Sequence, residues 1–222
     1  ILMFAQQVVF FGFETLLGLF TLNRAGMLGQ GNALLFLWAG IMLVMVQARF
    51  VGRLSRRWGE RRLVLFALTV LGIGLLVRAA TPQQPHPFYV RQIAVRELAS
   101  LAPNAAEAVI GEIKVPLPTD YGRGIGAVLW LFAGVVPVAF GAGLIRPALN
   151  ALITKRVSDS EYGRVLGASA ATVSAANAIA PILAGFAFQS FSPNAPFWIG
   201  GALMLGLSVI VRFRRPVVEP IT

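Results

Sequence analysis

The sequence predicts an all-α membrane protein with six transmembrane helices. Three observations carry that prediction. The 222 residues are 57% hydrophobic and only 13% charged, against about 25% charge in an average soluble domain. Six apolar runs approach the ~20 residues that a helix rising ~1.5 Å per residue needs to cross a hydrocarbon core of ~30 Å. The lysines and arginines gather at the ends of those runs, and they favour alternate connections. A chain with so little polar surface cannot cover itself in water, and lipid is the solvent that suits it.

The runs fall at 3–22, 33–51, 63–80, 124–153, 165–188 and 197–211. Around the second connection stand Arg49, Arg53, Arg56, Arg57, Arg61 and Arg62. Lys155, Arg156 and Arg164 flank the fourth, and Arg212, Arg214 and Arg215 lie at the tail. The opposite side receives half as many: Arg24, Arg78, Arg91, Arg96, Lys114 and Arg123, while Arg146 falls inside a run. Cytoplasmic loops carry the excess of basic residues. The expected arrangement is therefore a multi-pass protein of the plasma membrane with both termini cytoplasmic. The net charge of +10 does not indicate nucleic acid, because the arginines sit at helix ends and form no basic groove with interleaved aromatics.

The expected organisation is 1–80 for the first three helices with a basic cytoplasmic loop at 52–62, 81–123 for an extracytoplasmic insertion, 124–215 for the last three helices, and 216–222 for a cytoplasmic tail. The insertion opens Thr-Pro-Gln-Gln-Pro-His-Pro, which cannot be regular helix. Within it, 90–101 fits a short surface helix and 109–115 alternates enough for a strand. The chain begins at Ile1, directly in an apolar run with no charged region before it. That start does not read as a signal peptide, and it reads as though something lies upstream.

The absence of cysteine excludes disulfides and thiolate sites. His86 is the single histidine and lies in the Pro-rich stretch without partners for a metal. No phosphate-binding glycine loop, nucleophile elbow or metal cluster is present. The expectation is a non-enzyme with no cofactor and no metal.

Glu14 is the only acidic residue inside an apolar run. An intramembrane ionisable group is expensive and marks function by default. A carboxylate that gains and loses a proton there couples transport to a proton gradient; a protonated one bonded to a neighbouring helix only fixes packing. Gln47, Asn150 and Asn177 are the polar candidates for a substrate cavity, although a plain helix–helix hydrogen bond accounts for Gln47 and Asn177 as well. In the basic stretch, Gly52 and Gly59 permit a tight turn, and Arg53, Arg56, Arg57, Arg61 and Arg62 either pair across the cytoplasmic face or anchor topology near anionic lipid. Pro137 and Pro147 in the fourth run and Pro181 in the fifth remove backbone hydrogen bonds and invite bends, while Arg146 is placed to snorkel. From Gly167 to Ala178 nearly every side chain is small, which lets membrane helices approach backbone to backbone.

Three stretches together resemble the C-terminal half of a major facilitator superfamily transporter, most nearly the drug:proton antiporter branch that includes tetracycline-type efflux proteins. Gly12-Phe13-Glu14 looks like the Gly-x-Glu of the family's seventh helix. Gln47 through Gly52-Arg53-Leu54, then Gly59-Glu60-Arg61-Arg62, looks like the end of the eighth helix and its basic loop. Pro147-Ala148-Leu149-Asn150-Ala151-Leu152-Ile153, with Gly163 and Gly167, looks like the tenth helix entering the eleventh. The resemblance covers nearly the whole chain except 81–123, a connection that is usually short. The family's signature loop in its N-terminal half usually carries an aspartate, which contributes to gating, at the place where this copy of the loop has Arg56.

The resemblance implies one half of a major facilitator-type bundle built as two inverted three-helix repeats. It implies a cavity between two six-helix halves, lined by the first, second, fourth and fifth helices, with the third and sixth as peripheral supports. The implied activity is secondary active transport, as proton-coupled efflux of small hydrophobic or amphipathic compounds. The implied partners are the lipid bilayer, a small-molecule substrate, protons, and a second six-helix half that is either an N-terminal portion or a second copy. The alternative, from a different class, is a non-transporting scaffold or receptor module that binds through the long outer loop.

Overall fold

The computed structural model describes residues 2–101, 116–119, 121–154, 158 and 161–213. These residues form helices and connections, with no strand among them. In chain order the helices are α1 (Leu2–Ala25), α2 (Gly29–Val46), α3 (Gly52–Trp58), α4 (Glu60–Ala79), α5 (Arg91–Leu101), α6 (Gly126–Thr154), α7 (Tyr162–Ser190) and α8 (Ala195–Phe213), and a π-helical turn over Gln47–Val51 joins α2 to α3. Six continuous helical segments are long and apolar enough to cross a membrane: Leu2–Ala25, Gly29–Trp58, Glu60–Ala79, Gly126–Ile153, Tyr162–Ser190 and Ala195–Phe213. All six coincide with the runs read from the sequence. The surface helix expected over 90–101 is α5, and the strand expected at 109–115 lies outside the described residues.

One expectation needs correcting. The basic stretch 52–62 is not a loop opened by two glycines. Gly52 is helical (φ −65°, ψ −34°), and the second span runs on to Trp58. Nothing before Gly59 breaks a helix, and cations in the last turn, here Arg56 and Arg57, suit the negative end of the helix dipole. The turn is made by Gly59 alone, at φ +74°, where only glycine is unstrained. Arg61 then reaches across to donate from Nη2 to the Val211 carbonyl of α8 at 3.1 Å, which occupies one of the carbonyls that a helix end leaves free.

The helix contacts follow a two-fold pattern. α1 packs on α7 and α2 on α6; α6 packs on α4 and α1 on α8; α4 packs on α8. Exchanging the first three spans for the last three maps this set of pairs onto itself, as inverted three-helix repeats require. At the centre of the pattern the exchange is nearly literal. A Cβ placed on Gly72 would lie 3.0 Å from the Gly201 carbonyl, and a Cβ on Gly201 would lie 3.0 Å from the Gly72 carbonyl. Small residues set the other close approaches too. Gly12 of α1 faces Ala180 and Ala184 of α7, Gly74 faces Pro137 and Val138, and Gly141 faces Leu71 and Ala67. Dispersion at backbone contact is what joins helices when lipid removes the hydrophobic drive between them.

Burial is uneven. Over half of the apolar windows of α4 and α6 is buried (56% each), but only 11% for Gly29–Trp58 and 17% for α7. The core is therefore α4 with α6, flanked by α1 and α8, while α2 and α7 present long uncovered faces. The end of the bundle bearing the 81–123 connection is tied by polar contacts. Asn194 donates to the Ala79 carbonyl at 2.8 Å, Arg24 Nε donates to Asn194 Oδ1 at 2.9 Å, and Asn23 donates to the Pro116 carbonyl. Backbone N–H groups of Gln84 and His86 donate to the carbonyls of Arg24 and Ala25.

Candidate functional site

Helical spacing builds the site. Phe10, Phe13, Glu14 and Leu17 fall at i, i+3, i+4 and i+7 on α1, and Phe36, Ala39, Gly40 and Leu43 repeat that spacing on α2. Val135, Val138 and Ala139 come from α6 and Arg78 from α4, and together these residues line a cleft of about 190 Å³. Residues at this spacing share one helix face. Glu14 is exposed on that face. The α1 stripe places it on the lining of the cleft.

The cleft also holds a residue that the sequence reading placed elsewhere. Its place in the sequence groups Arg78 with the arginines at the outer ends of the helices. It is in fact 1% exposed, the largest fully buried side chain among the described residues. Helical side chains lean toward the N-terminus of their own helix, so a residue in the last turn of α4 sends its guanidinium back toward the middle of the bundle. Gly134 leaves room for the stem: a Cβ there would lie 3.1 Å from Arg78 Cγ. The guanidinium carbon stands 5.4 Å from the centroid of the Phe13 ring, within cation–π range. Arg78 Nε and Nη2 are buried with no hydrogen-bond partner, and no ion pair joins Arg78 to Glu14. The sequence did hold the signal, because the run 63–80 contains Arg78.

The remaining candidates are dispersed. Asn150 is exposed and lines a second hollow of about 360 Å³ with Met3, Arg146, Leu166, Ser169, Ala170, Val173 and Ser174, between the ends of α1, α6 and α7. Asn177 accepts a 2.7 Å hydrogen bond from Gln7 Nε2, so the helix-contact reading describes it. Replacing both with alanine in a double-mutant cycle is expected to give a coupling near 0.6 kcal/mol, the scale of interhelical hydrogen bonds in membranes, read by thermal unfolding in detergent. Gln47 is exposed at the start of the π turn, away from both hollows. Gly52, Arg53 and Arg56 line a groove with Met45, Ala48 and Arg49, none of which lines the Glu14 cleft. Arg57 and Arg62 are exposed. Pro137, Pro147 and Pro181 lie inside α6 and α7 without breaking either helix. The Glu14 cleft is lined by α1, α2, α4 and α6, and α7 contributes nothing to it.

A larger hollow of about 600 Å³ lies at the α1–α2 turn, lined by residues such as Met27, Leu34, Phe132 and His86. It holds no charged side chain. The smaller cleft carries the chemistry, because it combines a carboxylate, an unsatisfied guanidinium and three phenylalanine rings.

The model of the Major Facilitator Superfamily matches residues 121–221. That match supports membership of the major facilitator superfamily. It covers α6, α7 and α8, a little under half of the chain. Six helices long and apolar enough to cross a membrane, with this match over the last three, suggest a multi-pass membrane protein. No match was found among curated proteins or among solved structures.

Proposed function

We propose that the chain forms one half of a secondary active transporter that exchanges protons for small hydrophobic or amphipathic compounds, exporting them across the plasma membrane. The observation that carries this reading is the position of Glu14. A lone carboxylate on a span stands at the opening of an apolar cleft between α1, α2 and α6, where it can meet both a substrate and a proton. The second half of the pathway would face the uncovered sides of α2 and α7. It is supplied by an N-terminal six-helix portion or by a second copy, with both termini of this chain cytoplasmic as the arginine distribution indicates. Alternating access then rocks one half against the other around the cleft.

The test is flux in proteoliposomes. A pH gradient across the membrane should drive uptake of an amphipathic fluorescent dye into vesicles holding the protein, and collapsing the gradient with a protonophore should stop it. Dye binding without gradient-dependent movement would instead point to the scaffold or receptor reading.

A further inference from the structure

We infer that the Glu14 cleft is a binding site for an organic anion, with Arg78 taking the carboxylate and the phenylalanine rings taking the apolar body. This deepens the transport reading and rests on it for the claim that the bound acid is also moved. The argument starts from Arg78. A buried cation is retained only where an anion or a set of hydrogen-bond acceptors satisfies it. Two of its three guanidinium nitrogens are buried with no acceptor, although the rest of its surroundings is well packed: Gly134 accommodates the stem and Phe13 lies under the charge. By contrast, the arginine at the end of α1, Arg24, is bonded to Asn194. The cleft is the open space beside Arg78. A guanidinium presents paired N–H donors that match the two oxygens of a carboxylate.

The walls define the remainder of the ligand. Phe10, Phe13 and Phe36 offer aromatic surface, and Glu14 is the sole acidic side chain in the lining. The volume of about 190 Å³ corresponds to roughly six waters at ~30 Å³ each, the space of a one- or two-ring aromatic acid. Glu14 stands on the same cleft without bonding Arg78; because Arg78 Nε and Nη2 are covered in the present packing, a ligand carboxylate reaches them only when the side chain or the cleft wall shifts.

The probe is 2-naphthoate, with neutral 2-naphthylmethanol and cationic 2-naphthylmethylamine as size-matched comparators. Binding to the full chain in nanodiscs of zwitterionic lipid is measured by equilibrium dialysis against empty discs. Wild type should bind naphthoate saturably and at least about tenfold more tightly than either comparator. Arg78→Gln should lose that preference, and Arg78→Lys should retain part of it, as a point charge without the fork. Adding anionic phosphatidylglycerol should leave naphthoate affinity unchanged; displacement by that lipid would make the ligand a headgroup and overturn the assignment of a free acid. Equal affinity for the three compounds, or full naphthoate binding by Arg78→Gln, also overturns it.

Thermal unfolding covers the case in which a variant folds poorly. Naphthoate should raise the wild-type Tm, and Arg78→Met should unfold at or above the wild-type temperature without ligand while losing the naphthoate shift. An Arg78→Met protein that is less stable without ligand would mean that the helices themselves use the charge, and the inference fails. These outcomes are independent of the transport reading. Naphthoate binding through Arg78 with no flux removes transport and keeps the site, whereas flux that ignores Arg78 removes the site and keeps transport.

Discussion

Glu14→Gln reduces pH-gradient-driven flux to the level of protein-free vesicles. The substitution keeps the size and hydrogen-bonding capacity of the side chain and removes only its ability to exchange a proton. Because Glu14 is exposed on the cleft and makes no ion pair with Arg78, packing should be undisturbed, and unfolding temperature and the elution profile in detergent should match wild type. Glu14→Asp, which retains the titrating group on a shorter arm, should keep measurable gradient-driven flux. Substrate exchange without a gradient should survive in Glu14→Gln, since that half-reaction needs the cleft and not the proton. Unchanged gradient-driven flux in Glu14→Gln at every pH would remove Glu14 from the mechanism.

Gly141→Val separates α4 from α6 and unfolds the bundle at a much lower temperature. A Cβ on Gly141 would lie 2.6 Å from the Leu71 backbone nitrogen and 2.8 Å from the Ala67 carbonyl oxygen. Backbone atoms cannot turn aside as a side chain can, so the helices themselves must move. Overpacking of this kind costs about 1–3 kcal/mol and sometimes more, and it falls here on the most buried helix pair. The comparison variant is Gly167→Ala on α7, where an added Cβ meets nothing within 4 Å; helix propensity alone makes it neutral to stabilising by up to ~1 kcal/mol. Thermal unfolding of both in the same detergent checks the pair. Equal Tm values for Gly141→Val and wild type would show that α4 and α6 do not meet as described.

The spans were legible because their signal is chemical and long. A run of apolar residues bounded by arginines has few competing readings, and each of the six survives in the structure. The tight approach of the helices was partly legible, through the glycines and alanines of α7. What escaped was direction. The basic stretch was read as a loop because its charge marks a membrane surface, yet charge alone does not end a helix, and the chain stays helical until a glycine adopts positive φ at Gly59. Arg78 was read by its neighbourhood at the end of an apolar run. Whether such a residue points outward to the surface or back into the bundle depends on which helix face meets Gly134 and Phe13, and that is fixed only by tertiary packing. Glu14 was identified by its rarity alone. Its partners on the cleft, Phe36 and Gly40 of α2 and Val135 of α6, are ordinary apolar residues that no motif singles out.

The central claim is that a cleft opens among these helices at membrane depth and is reached from water. The chain contains no cysteine, so single cysteines report cleanly. Gly40 lines the cleft with open space around it, and Ile73 is exposed on α4 away from the cleft. In membrane vesicles of both orientations, a charged, membrane-impermeant thiol reagent should label Gly40→Cys and spare Ile73→Cys. If Gly40→Cys stays unlabelled, or if both positions react equally, the cleft is not the aqueous site described.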